Sequence, residues 1–182
     1  MNFVLRSALL VAVTTSSACS IFWEVPTTPL HDAAWRGDVA AIKQLVNDGA
    51  DINAADDMGF TALYWAARGG HRLGPHQCRG EDPGRPDVIA AMIALGADPN
   101  TQDRRPKGFG RSSGWTPLFV ALHHEQFMSA RVMLEHGADP NILSDQGTSV
   151  IAAAAGEGAP KELIALIVEK GFDPQKTRRR AD

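Results

Sequence analysis

The side chains most able to do chemistry in this sequence are its histidines and cysteines. His71, His76 and Cys78 lie close together along the chain, and such residues bind metals in other proteins. Their spacing fits no recognised zinc pattern, and no second Cys or His pair follows at a regular interval. The carboxylates also form no set of nucleophile, base and orienting group. We therefore expect no metal, no cofactor, no catalytic residues and no enzyme activity.

The composition favours a folded chain that does not bind nucleic acid. Of the 182 residues, 44% are hydrophobic and 21% are charged, which is enough apolar material for a core. The formal net charge is −3, whereas nucleic-acid binding requires a basic excess.

The first residues have the pattern of an export signal. Ala8–Val13 is an apolar stretch too short to span a bilayer, and small residues follow it up to Ala18. We interpret residues 1–18 as a signal peptide. Cys19 then resembles the lipidated cysteine in the lipobox of bacterial lipoproteins, although Ser16 stands where that motif usually has Leu.

Cys19 leaves three locations open. If it carries lipid, residues 19–27 are a short linker, and the protein lies on the periplasmic side of the outer membrane. If cleavage simply follows Ala18, the protein is periplasmic or secreted, and an uncleaved leader would act as an anchor. With Cys19 lipidated, Cys78 is an odd thiol that could pair between molecules or be reactive. With Cys19 free, the two cysteines could form a disulfide.

Two short motifs recur four times along the rest of the chain. The first motif begins at Thr28, Thr61, Thr116 and Thr148. The second begins at Gly49, Gly96, Gly137 and Gly171. A Thr hydroxyl can cap a helix, and a glycine can end one in the left-handed conformation. Between them, apolar residues at helical spacing predict buried stripes: Ile42, Leu45, Val46; Ile89, Met92, Ile93; Ala130, Met133, Leu134; Ile164, Ile167, Val168.

These motifs resemble those of the ankyrin repeat family. The resemblance implies an all-α solenoid of about four helix–loop–helix repeats with hairpin loops on one edge. We divide the repeat domain, 28–176, into repeats at about 28–56, 57–103, 114–145 and 146–175, followed by a basic tail, 177–182. The spacing predicts insertions at about 72–85 and 104–112. Repeat four is expected to gain two residues near Gly158 and to have a shortened hairpin before Thr148.

In the ankyrin family, partners usually bind the hairpin tips and the exposed face of the first helices. Carried over by position, this predicts the following binding residues: Trp35, Arg36, Asp57, Met58, Phe60, Arg68, Arg104, Arg105, Phe109, Trp115, His123 and His124. Aromatic and arginine side chains suit interface hot spots. The alternative is that Trp35, Phe60 and Trp115 pack under neighbouring loops. The basic cluster around Arg105 could bind an acidic partner or could be a solvated loop. Trp65 is expected in the core.

The resemblance implies a non-catalytic module whose partner is another protein, and we expect it to be a monomer. The leader adds a tether in the bacterial envelope. Small exported ankyrin proteins suggest an immunity protein that neutralises a periplasm-acting toxin, such as a type VI secretion phospholipase. The alternative is an envelope helper of an enzyme such as catalase in oxidative-stress defence; immunity is placed ahead of it, because a tethered, non-catalytic binder is sufficient for that role. A secreted, host-directed effector is a further alternative. This choice rests on analogy, since a fold does not fix a function.

Overall fold

The computed structural model describes residues 28–57, 59–69, 85–104 and 114–178. Within these ranges the regular structure is helical, apart from one isolated bridge between Ala55 and Thr61. The helices are α1 Pro29–Arg36, α2 Val39–Asn47, α3 Ala62–Arg68, α4 Pro86–Ala94, α5 Pro117–His123, α6 Phe127–Glu135, α7 Val150–Gly156, α8 Lys161–Glu169 and α9 Pro174–Arg178.

The helices form two layers of a solenoid. The helices α1, α3, α5 and α7 pack side by side in an inner layer, and α2, α4, α6 and α8 pack in an outer layer. Each inner helix also packs against the outer helix that follows it, so the repeat unit is a helix pair. The predicted all-α repeat solenoid is confirmed. The short helix α9 was not predicted, and it crosses the boundary where we expected the tail to begin.

A hydroxyl side chain caps the inner helix of every pair. The caps of α1, α3 and α5 are the predicted threonines, Thr28, Thr61 and Thr116. The cap of α7 is Ser149, whose Oγ accepts from the amide of Ala152 at 3.3 Å. The prediction that this motif begins at Thr148 is therefore wrong by one residue. Only the residue next to the first helical turn can bind the free amides there.

One polar residue closes each hairpin between helix pairs. Its side-chain oxygen accepts an amide from the opposite limb: Asp56 from Phe60 at 2.9 Å, Asp103 from Trp115 at 2.8 Å, and Ser144 from Thr148 at 3.1 Å. The first and third closing pairs have the same spacing, so the expected shortening of the last hairpin is wrong. The middle pair is wider, because Asp103 and Trp115 are 12 positions apart in the sequence. Residues 105–113 lie outside the described ranges.

The connection inside the second pair is also long, since α3 ends at Arg68 and α4 begins at Pro86. Residues 70–84 lie outside the described ranges, but both ends of this connection are held by the third repeat. The side-chain amide of Gln126 donates to the carbonyl of Arg68 at 2.9 Å. The amide of Arg85 donates to Ser129 Oγ at 2.9 Å.

Asparagines at equivalent positions join each repeat to the next. The side chain of Asn100 donates to the carbonyl of Gly137 at 3.2 Å and accepts from the amide of Asp139 at 2.7 Å. Asn53 and Asn141 make the same two bonds to the repeats that follow them. Because one side-chain amide binds both a carbonyl and an N–H, these pairs fix the register between repeats.

The core runs between the two layers, and most of the predicted stripe residues belong to it. Ile42, Ile89, Met92, Ala130, Met133, Leu134 and Ile167 are buried, as is Trp65. Leu45, Val46, Ile93 and Ile164 are only partly buried, and Val168 is 54% exposed. The first and last helix pairs have a neighbouring pair on one side only, so a stripe residue there can remain partly exposed to solvent.

No helix in the described ranges is long and apolar enough to cross a membrane.

Candidate protein-binding surface

Three rings of the third repeat run along one side of α5. The indole of Trp115 lies 6.3 Å from the ring of Phe119 and 4.9 Å from the ring of His123, measured between centroids. Phe119 is buried, Trp115 is partly exposed and His123 is exposed. Successive members are four residues apart, which places them on one face of a helix. The predicted residues Trp115 and His123 therefore belong to one aromatic stripe, with Trp115 at its hairpin end.

A polar contact ties the end of this stripe to the next repeat. His123 Nδ1 lies 2.8 Å from a carboxylate oxygen of Glu157, so an imidazole N–H donates to that carboxylate. The side chains are 52% and 32% exposed, and water weakens such a pair. The ring of His124, also a predicted residue, lies 5.4 Å from that of His123. The contact orients His123 more than it stabilises the fold.

The fourth repeat carries small residues where the third carries rings. With Ser149 as the cap of α7, the counterparts of Trp115, Phe119 and His123 are Thr148, Ala152 and Gly156, and all three are exposed. Because α7 packs directly against α5, this row lies beside the aromatic stripe. We name the stripe and this row together the Trp115 surface. On this surface, aromatic side chains of the third repeat lie beside small, exposed residues of the fourth.

The structure places Phe60 in the core, so the prediction that it is a surface anchor is wrong. Phe60 has no exposed area. Its ring stacks on Tyr64 at 4.2 Å and meets Trp65 edge-on at 5.5 Å. Here the alternative of packing under a loop holds. The sequence could not separate the two cases, since Phe60 and Trp115 occupy the same position in successive repeats.

Arg68, the last residue of α3, is the predicted binding residue of the second repeat. It is partly exposed, and its guanidinium lies 5.4 Å from the centre of the Trp65 ring. That distance suits a cation–π contact, which holds the cation in place over the buried indole. Arg68 occupies in its repeat the position that His123 occupies in the next. This position therefore carries a guanidinium in repeat two and an imidazole in repeat three.

The first repeat contributes Trp35 and Arg36. Trp35 is partly exposed, and its backbone carbonyl accepts from the guanidinium of Arg85 at 2.8 Å. Arg36 is exposed and pairs with Asp32 one turn earlier in α1, at 3.0 Å. Both predicted residues thus lie at the accessible end of α1, and Arg36 already has a carboxylate partner.

The remaining predicted residues lie at the hairpins or outside the described ranges. Asp57 and Arg104 are exposed, and the amide of Arg104 donates to the carbonyl of Gly59, so the first and second hairpins are in contact. Met58, Arg105, Phe109 and the lipidation candidate Cys19 lie outside the described ranges, as do His71, His76 and Cys78. Among the residues that are described, no three His, Cys, Asp or Glu side chains converge as metal ligands would.

The sequence also matches known proteins. A family model described as "Ankyrin repeats (3 copies)" matches residues 7–73 and 80–178. The chain belongs to the ankyrin repeat family.

Relatives of this ankyrin chain include proteins of fungi and animals. It is 31% identical over 130 residues to "Ankyrin repeat protein nuc-2" of Neurospora crassa, a match that covers 71% of this chain and 10% of that protein. It is 28% identical over 157 residues to "Ankyrin repeat and SOCS box protein 16" of Mus musculus, covering 83% of this chain and 32% of the relative. The chain thus spans no more than about a third of the length of these two relatives.

Ankyrin repeats are protein-interaction modules, and the relatives' names include no enzyme.

Sequence reasoning missed one residue of the ankyrin surface, Glu157. Its signal was present, because Glu157 occupies the position of His124 once Ser149 is recognised as the cap. Counting from Thr148 moved every position of repeat four by one residue and hid this equivalence.

Proposed function

We propose that this chain is a non-catalytic ankyrin module that binds a protein partner through the Trp115 surface, with Arg68 and Trp35 extending the contact toward the first repeat. The observation that carries the proposal is the aromatic stripe of α5 beside the exposed row of Thr148, Ala152 and Gly156. A partner can place side chains over the small row and against the indole. Partly exposed aromatic residues beside small, accessible side chains suit interface hot spots.

Binding experiments on single variants test this proposal. With a partner isolated by affinity capture, Trp115→Ala should raise Kd at least about thirtyfold, which corresponds to about 2 kcal/mol, mainly through faster dissociation. Glu157→Gln should have a smaller effect through His123. Lys43→Ala, on the exposed side of the outer helix α2, is the control. Equal affinity of Trp115→Ala and wild type, in folded protein, would remove the Trp115 surface from the interface.

We propose further that Cys19 is lipidated and that the module is held in the bacterial envelope, on the periplasmic side of the outer membrane. The proposal is supported by the apolar leader, the small residues before Cys19 and the resemblance to a lipobox. Cys19→Ser should abolish incorporation of labelled palmitate and release the protein from the membrane fraction. Absence of label from the wild-type protein would indicate a soluble periplasmic or secreted protein instead.

The role proposed for the complex is immunity against a toxin that acts in the periplasm, because a tethered binder without catalysis is sufficient for it. Cells lacking the protein should then be killed by neighbouring cells that deliver the toxin, and Trp115→Ala should fail to protect them. A helper of an enzyme such as catalase is the second candidate. It predicts peroxide sensitivity in the same deletion strain, with no change in toxin resistance. The identity of the adjacent gene, toxin or catalase, separates the two.

A further inference from the structure

A groove lies between α6 and α8, in the layer of outer helices and away from the Trp115 surface. Its volume is 430 Å³, and Phe127, Met128 and Leu166 are among the apolar residues that line it. Met128 is 48% exposed, whereas large apolar side chains elsewhere in the described ranges are mostly buried. This groove therefore presents apolar area that the fold itself leaves uncovered.

The exposed methionine is specific to this part of the solenoid. Met128 is the second residue of α6, and the second residues of α2 and α4 are Ala40 and Asp87. A small or charged residue thus satisfies the fold at this position. The methionine adds nothing to the buried core, but it adds flexible, polarisable surface of the kind found where proteins bind varied segments.

The charged residues around the groove carry a net negative charge. Glu162 and Glu169 line it from α8, seven residues apart, or about 10 Å along the helix axis. Both are exposed. Arg131 lines the groove from α6 and forms an ion pair with Glu135 at 2.8 Å. With three carboxylates against one guanidinium, the net charge that faces an incoming ligand is negative.

From this combination we propose that the α6–α8 groove is a second docking site, and that its occupant is a basic amphipathic helical segment of a protein partner. An apolar side chain of the segment fills the space over Met128 and Leu166. Lysines or arginines two turns apart meet Glu162 and Glu169. The geometry is that of an amphipathic helix in a groove, with apolar anchors for affinity and rim charges for orientation. Because the Trp115 surface lies on the other layer, both sites can be occupied together.

A synthetic peptide provides the probe. It is a labelled helical peptide with a leucine stripe flanked by two lysines seven residues apart, and a matched peptide carries glutamates in place of the lysines. By fluorescence anisotropy at low salt, the full chain should bind the lysine peptide with a Kd of about 10–100 µM, as expected for a small interface. The glutamate peptide should bind at least about tenfold more weakly. Equal binding of the two peptides would overturn the proposal.

Variants locate the site and separate lost binding from lost folding. Met128→Ser and the double variant Glu162→Gln/Glu169→Gln should each weaken binding about tenfold, while Val168→Ser, at an exposed position of α8 outside the groove, should leave it unchanged. Glu162→Lys/Glu169→Lys should reverse the preference and bind the glutamate peptide, which an unfolded variant cannot do. In an NMR titration with the lysine peptide, the amide resonances that shift should belong to α6 and α8. Clustering on α5 and α7 would assign the peptide to the Trp115 surface and overturn this proposal without affecting the proposed function.

One further outcome concerns a second copy of this chain. Sedimentation should show a monomer for both wild type and Met128→Glu. A wild-type dimer that Met128→Glu dissociates would show that the groove is a self-association surface and would overturn the proposed occupant.

Discussion

The indole N–H of Trp65 donates to the carboxylate of Asp56 at 2.8 Å, and both side chains are buried. The other carboxylate oxygen of Asp56 accepts the amide of Phe60. One acid therefore closes the hairpin before the second repeat and fixes the largest side chain of the core. The position and depth of Trp65 depend on a residue in the loop as well as on the helix that carries it.

Replacing Asp56 should therefore destabilise the solenoid strongly. Asp56→Ala leaves the buried N–H groups of Trp65 and Phe60 without acceptors, and each such loss costs about 1–3 kcal/mol. We expect the free energy of unfolding to fall by about 2–4 kcal/mol in urea denaturation. Asp48→Ala, at an exposed acid near the end of α2, should change it by less than about 0.5 kcal/mol. Equal effects of the two variants would show that the Asp56 bonds contribute no stability.

The asparagine contacts predict how the repeats are coupled. Asn100 joins repeats two and three through two bonds, so Asn100→Ala should lower stability by about 1–3 kcal/mol and weaken cooperativity between the two halves. A lower denaturant m-value or a second transition would report this loss of cooperativity. Asn141→Ala should loosen only the last repeat. Asn47→Ala, at the exposed end of α2, is the matched control and should keep a single transition.

Much of this fold could be predicted from local motifs, because a cap, a helix-ending glycine and a buried stripe each act within a few residues. The α7 cap was misplaced since Thr148 and Ser149 both carry hydroxyls, and only the backbone decides which one meets the free amides. Phe60 and Trp115 show the limit for the binding surface. They occupy equivalent positions, yet one is buried among Tyr64 and Trp65 and the other is partly exposed. That difference depends on contacts between elements, which periodicity does not contain.

The cap of α7 gives a direct test of the corrected register. Ser149→Ala removes the side-chain acceptor for the amide of Ala152 and should cost about 0.5–2 kcal/mol. Thr148→Ala should cost less than about 0.5 kcal/mol, because its hydroxyl is exposed and its hairpin bond is made by the backbone. Thermal unfolding of the pair provides the comparison. A larger loss of stability for Thr148→Ala than for Ser149→Ala would indicate that Thr148, and not Ser149, caps α7.

The closing pair Asp103–Trp115 predicts that the long second hairpin can be exchanged for a short one. Residues 104–114 would be replaced by a copy of residues 57–59, the three that join Asp56 to Phe60 in the first hairpin. The exchange keeps a backbone amide at position 104, which donates to the carbonyl of Gly59, and it keeps the bond from the Trp115 amide to Asp103. A shorter loop also loses less conformational entropy when it closes. We expect unfolding stability to change by no more than about 1 kcal/mol. Association with an acidic partner should slow and lose part of its salt dependence, because Arg104, Arg105, Lys107 and Arg111 are removed. The matched control neutralises the same four cations in the full-length hairpin, as Arg104→Gln/Arg105→Gln/Lys107→Gln/Arg111→Gln, and should show the slower association without any change in loop length. Unfolding of the exchanged protein at room temperature would mean that the long hairpin is part of the fold.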